Sequence, residues 1–119
     1  MRARGLVLGA ALFALGCASA APISSVADLT GEWKGRISGP HGHAPAAMAM
    51  AADGAFMGTM FLDGGDRTFR GALVVVRPGH VRYQGTDGNG TVRISEENAR
   101  RVLKFLRDDG GVDAVFRRF

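Results

Sequence analysis

The chain has 119 residues, of which 46% are hydrophobic and 22% charged, and it carries one cysteine. That length allows one domain rather than two, and the lone Cys17 excludes an intrachain disulfide, so the fold must rest on apolar packing. The formal charge of +4 flatters the basic side: 15 Lys and Arg less Arg2 and Arg4 of the N-terminal segment leave 13 against 11 acidic residues, a solubility margin that excludes a nucleic-acid footprint.

In chain order, Arg2 and Arg4 precede an apolar run from Leu6 to Leu15, and small residues follow through Ala21. This three-part layout predicts a secretory signal peptide over 1–20, with a single domain over 21–119. The run is shorter than the roughly 20 residues of a membrane span, and no second run follows. Two cleavage readings stand. Ala18-Ser19-Ala20 fits ordinary cleavage after Ala20, which releases a soluble periplasmic protein. Ala14-Leu15-Gly16-Cys17 resembles a bacterial lipobox, with Ala14 where Leu is usual; cleavage there would leave a lipidated Cys17 and a membrane-anchored lipoprotein.

Beyond Thr30, β-branched, aromatic and Met-containing segments are cut at intervals by Asp53-Gly54, Asp63-Gly64-Gly65-Asp66, Pro78-Gly79, Asp87-Gly88-Asn89-Gly90 and Asp108-Asp109-Gly110-Gly111. The spacing predicts an all-β, antiparallel up-and-down meander of about eight strands, near 32–38, 46–52, 55–62, 67–76, 80–85, 90–95, 101–107 and 112–118. Ser95 to Arg100 is compatible with one helical turn.

A two-residue Gly64-Gly65 loop would pair Met60 with Phe69, Gly58 with Gly71 and Phe56 with Leu73 on the core side, together with Leu62 and Val75. Val81, Tyr83, Val92, Ile94, Leu103, Phe105, Ala114 and Phe116 extend that core. The other face then holds Met57, Phe61, Ala72, Val74 and Val76, and carrying the register through Asp53-Gly54 adds Met48 and Met50. Two explanations are open: a bulge near Pro78-Gly79, required if Val75 pairs with Val81, or an interface with a second copy or an envelope protein partner.

Leu29-Thr30-Gly31-Glu32-Trp33 resembles the G-x-W opening of lipocalins and the L-T-G-x-W opening of avidin-type barrels, and Gly54-Ala55-Phe56-Met57-Gly58-Thr59 is similar to the avidin-type G-x-F-x-G-T stretch. Together they cover about the first third of the mature domain. The resemblance implies a closed or nearly closed eight-stranded barrel, Trp33 plugging one end, with Arg117 or Arg118 packed over it. Met60 stands where avidin-type pockets place a tyrosine, and no Trp follows Trp33, which argues against biotin. An eight-stranded barrel filled by its own side chains is the plain outcome.

The remaining constellations are weaker. His41-Gly42-His43 lies between Pro40 and Pro45, in an expected exposed loop, with His80 as a conceivable third metal ligand; a solvated loop is the expected state, and no cofactor is called for. Asp87-Gly88-Asn89-Gly90 departs from a calcium loop at Val92 and Asn98. There is no G-x-S-x-G elbow or H-E-x-x-H helix, so catalysis is not expected. Arg100, Arg101, Lys104, Arg107, Arg117 and Arg118 make the last hairpin basic, partly offset by Asp108, Asp109 and Asp113; they suit solvated edges or anionic headgroups.

The sequence thus predicts an exported, non-catalytic barrel holding a small apolar ligand, with Trp33, Phe56, Met60, Phe69, Leu73 and Tyr83 in its interior or ligand site. The alternative is an envelope interaction protein using the outer face around Met48, Met50, Met57 and Phe61.

Overall fold

The computed structural model describes residues 19, 20, 23, 25–39, 42–86, 88–110 and 113–118. Cys17, the apolar run, His41, Asp87, Gly111 and Val112 lie outside them. Eight antiparallel strands follow one another as β2 (Gly31–Gly39), β3 (Gly42–Met50), β4 (Ala55–Met60), β5 (Arg67–Arg77), β6 (His80–Gly85), β7 (Gly88–Glu97), β8 (Arg100–Arg107) and β9 (Asp113–Arg118). Each pairs with the next, and β9 returns to β2 through Trp33 opposite Arg118 and Gly35 opposite Phe116, so the meander closes into a barrel. A two-residue strand, β1 (Ser19–Ala20), lies on β7 beside Ser95 and Glu96, beyond the point where β6 has left that edge.

Turn chemistry sets which face each strand turns inward. Between β3 and β4 the chain uses three residues, Ala52 to Gly54, closed by Ala51 N–H to the Ala55 carbonyl at 2.8 Å with Gly54 at φ +93°. A two-residue turn at Asp53-Gly54 would place Met48 and Met50 outside. The extra residue reverses β3, because a one-residue slip moves every side chain to the opposite face. Met48 and Met50 are therefore core residues, opposite Gly58 and Phe56, and leave the outer patch.

The β4–β5 connection differs by two residues. The turn lies at Leu62–Gly65, with Gly65 N–H donating to the Leu62 carbonyl at 3.1 Å, and Met60 pairs with Arg67, Gly58 with Phe69 and Phe56 with Gly71. A slip of two keeps the faces, so Phe56, Met60, Phe69 and Leu73 are buried together although each has a different partner from the one expected.

Three local departures have equally plain causes. β3 begins at Gly42, so His43 is a strand residue rather than a loop residue, its Nδ1 2.7 Å from Ser38 Oγ on the neighbouring strand. Pro45 is tolerated in β3 because the β4 ladder ends at Met60 opposite Ala46; beyond it, Phe61 N–H donates to the Pro45 carbonyl at 2.9 Å. The β7–β8 turn is no helical turn: Asn98 and Ala99 at φ 51° and 66° have the twist of a two-residue hairpin. The bulge near Pro78-Gly79 is present, with Val75 opposite Val81 and Arg77 opposite His80, which leaves Val76 unpaired and exposed.

Inside the barrel, large rings face glycines across strand pairs: Phe56 opposite Gly71, Phe69 opposite Gly58, Tyr83 opposite Gly90 and Phe116 opposite Gly35. A Cβ at Gly71 would overlap the Gln84 carbonyl and stand 2.6 Å from Phe56 Cζ; one at Gly58 would stand 2.5 Å from Phe69 Cζ, and one at Gly90 2.7 Å from Tyr83 Cε1. Each glycine thus lets the strand bend and makes room for the ring facing it. Gly71→Ala should lower unfolding stability by about 2–3 kcal/mol through overpacking, whereas Gly64→Ala, whose added Cβ would meet nothing within 4 Å, should stay within about 0.5 kcal/mol of the parent. Urea titration of the two variants compares them directly.

Candidate functional site

The two ends of the barrel differ. At one end, a 3-10 turn over Val26–Leu29, capped by Ser25 Oγ accepting from Ala27 N–H at 3.1 Å, packs Leu29 and Ile23 across the opening. Trp33 is fully buried beneath it and donates its indole N–H to the Leu29 carbonyl at 3.0 Å. Arg118 lies over the indole with its guanidinium carbon 4.7 Å from the ring centroid, and its two terminal nitrogens donate to the Thr30 and Asp28 carbonyls, both at 2.8 Å. The cation, ring and lid form one unit that seals this end. Arg117 points elsewhere, to Glu97 at 3.3 Å.

Arg118→Leu should cost about 2 kcal/mol, since two charge-assisted hydrogen bonds and the ring contact go together. Urea unfolding followed through the fluorescence of Trp33, the chain's single tryptophan, measures the loss.

The opposite end is open. Phe56, Phe69, Tyr83, Phe105 and Phe116 form a connected cluster with ring centroids 5.1–6.4 Å apart, mostly edge-on or tilted, and Phe105 at its hub touches Phe56, Tyr83 and Phe116. Above these rings lies a pit of about 70 Å³, walled also by Ile37, Met48 and Ala114, with Arg70, Tyr83 and Arg107 around its rim. The volume holds about two waters and falls well below the roughly 300 Å³ at which drug-sized pockets begin. Of the residues expected inside, Phe56, Phe69 and Tyr83 reach this pit, whereas Trp33 belongs to the sealed end, and Met60 and Leu73 are buried in the wall packing.

Arg107 is the rim residue that reading the sequence as a basic hairpin leaves undistinguished. Paired with Gly90, it shares the inward face of β8 with Leu103 and Phe105. Its side chain is 30% exposed, and its Nε is 3.0 Å from Asp109 Oδ1. Gly88 makes room for it, since a Cβ there would stand 2.6 Å from Arg107 Nε. The other basic residues do not gather with it: Arg101 approaches Glu96 at 3.6 Å, while Arg117 and Arg118 lie towards the sealed end. Outside the barrel, Arg82 holds Asp108 through contacts of 2.6 and 2.9 Å and also reaches Thr91. This pairing keeps the Asp108 carboxyl below its ordinary range.

Among the described residues no three metal-ligating side chains converge. His80 lies beside Arg77, with His80 Nε2 and Arg77 Nη2 3.2 Å apart. The Ser38–His43 contact is a hydroxyl–imidazole pair on the exposed outer wall, and no acid orients the ring among the described residues.

Comparison with protein-family models, with curated proteins and with solved structures returns no match. The architecture is that of a closed eight-stranded antiparallel barrel, consistent with a calycin-like fold.

Burial raises the Tyr83 phenol above its ordinary 10.0, and the neighbouring Arg107 guanidinium opposes that rise. Because the native phenol keeps its proton to higher pH than the unfolded one, its contribution to stability is complete below pH about 10 and is lost as pH rises towards the native value. Tyr83 is the chain's only tyrosine, so ultraviolet titration of tyrosinate isolates it. The midpoint should lie above 10.0, and Arg107→Gln should move it higher still.

Proposed function

We propose that this protein is an exported, non-catalytic binding barrel of the cell envelope that receives the apolar end of a small ligand in the pit at its open mouth. The observation that carries the reading is the asymmetry of the ends: one is sealed by Leu29, Trp33 and Arg118, and the other stops short of closure above the aromatic cluster. An apolar pit with a few polar groups at its rim suits orientation of a small molecule. Export rests on the Arg2, Arg4 and Leu6–Leu15 pattern, and lipidation of Cys17 is the anchored version of the same reading. Lipocalin-like affinity is supported by the barrel and by the indole–guanidinium seal, while the size of the pit limits what it receives to what about 70 Å³ accepts.

A second reading has its own observation. Met57, Phe61, Val74 and Val76 are 61%, 44%, 55% and 62% exposed on the outside of β4, β5 and the loop between them. Such a face suits self-association or an envelope partner.

The pit reading is tested with 1-pentanol, titrated into the purified domain while methyl resonances of Ile37 and Met48 are followed by NMR. Saturable shifts are expected. Ala114→Leu, which fills the pit from β9, should weaken binding at least about tenfold while the far-ultraviolet spectrum is retained. Unsaturable shifts in the parent, or equal affinity in the filled variant, would remove the proposal.

A further inference from the structure

The rim of the pit carries a specific chemical instruction. Resting on the pit reading, we propose that the mouth selects short-chain aliphatic carboxylic acids, with the apolar end among the rings and the carboxylate on the free edge of Arg107, beside the Tyr83 hydroxyl.

Arg107 is the last inward-facing residue of β8, on the line of Leu103 and Phe105, so its guanidinium leaves the apolar wall where the pit meets solvent. Gly88 on the adjacent strand lets the side chain lie flat across that rim, because any Cβ there would collide with it. Tyr83 comes from the other neighbour of β7, its ring 5.1 Å from Phe105 at the hub of the cluster. A donor cation and a donor hydroxyl thus stand over one apolar floor.

Asp109 engages Nε of Arg107, and no hydrogen bond joins the two terminal nitrogens of Arg107 to another described residue. These nitrogens form the fork that matches a carboxylate. Of the other acids near the β8–β9 turn, Asp108 is turned to the outside wall by Arg82. The Tyr83 hydroxyl, a phenol, carries its proton at neutral pH and can donate to an anion.

Ligand class follows from charge and size. With Asp109 already beside it, Arg107 offers less than a full positive charge, which suits a monoanion and disfavours a dianionic phosphate ester. The pit, about 70 Å³, is about half the 150 Å³ of a cavity known to accept benzene, so it takes a short alkyl end rather than a long chain.

The test compares pentanoate with 1-pentanol on the purified protein by NMR titration. Pentanoate should bind more tightly than pentanol. Arg107→Gln should weaken pentanoate about tenfold and pentanol much less, the factor expected for loss of a charge-assisted bond. Asp109→Asn, which frees more of the same cation, should strengthen pentanoate alone. Equal affinities for acid and alcohol, or an equal loss of both in Arg107→Gln, would overturn carboxylate selection while leaving the pit in place. Saturable binding of neither compound would remove pit and selectivity together.

Discussion

The barrel depends on a spatial exchange between rings and glycines. Phe56, Phe69, Tyr83 and Phe116 each occupy space that the facing residue on the next strand vacates by having no side chain. The same missing Cβ atoms allow neighbouring backbones to approach so closely that a methyl group at Gly35, Gly58, Gly71 or Gly90 would overlap a carbonyl of the adjoining strand. Curvature and filling therefore come from the same four positions. A sheet bent this tightly has little internal width, and the rings use what there is. Phe105, which faces Val92 and Ala114 rather than glycine, is the point through which the rings join.

This arrangement explains why the ends behave differently. Towards Trp33 the inward residues are large and a capped turn folds over them, with Arg118 fastening turn to strand through two carbonyls. Towards the mouth the inward positions finish in Gly85, Gly88 and Arg107. Small and cationic residues cannot complete an apolar layer, so the stack of rings ends in a shallow pit. The basic character of the last hairpin is real in composition, but strand alternation divides it between both faces and both ends; Arg107 and Arg118 do unrelated things.

Much of the architecture was legible because alternation and turn residues are local signals. The segments around Phe69, Val81, Val92, Phe105 and Phe116 keep their expected faces. The faces of β4 and β5 also survive a register that slides by two, since parity decides which side is buried. Met48 and Met50 show the limit: their side depends on whether two or three residues turn at Asp53-Gly54, and Ala52 looks like a strand residue until Gly54 is seen at positive φ. The Trp33–Arg118 seal was anticipated through a family resemblance, although two arginines competed for the role. Arg107 was not distinguished, because its place at the rim comes from being inward, last in its strand and opposite Gly90, and those properties exist only once β7 and β8 are paired.

The short pairing of Ser19 and Ala20 with Glu96 and Ser95 lies on the far half of β7. Of the two cleavage positions read from the sequence, a cut before Cys17 would retain this pairing, and one after Ala20 would strip it away. In the second case the far half of β7 would present bare amides and carbonyls, a template on which another extended chain could add itself. Processing by a few residues would then decide whether the barrel wall is finished or left with a seam.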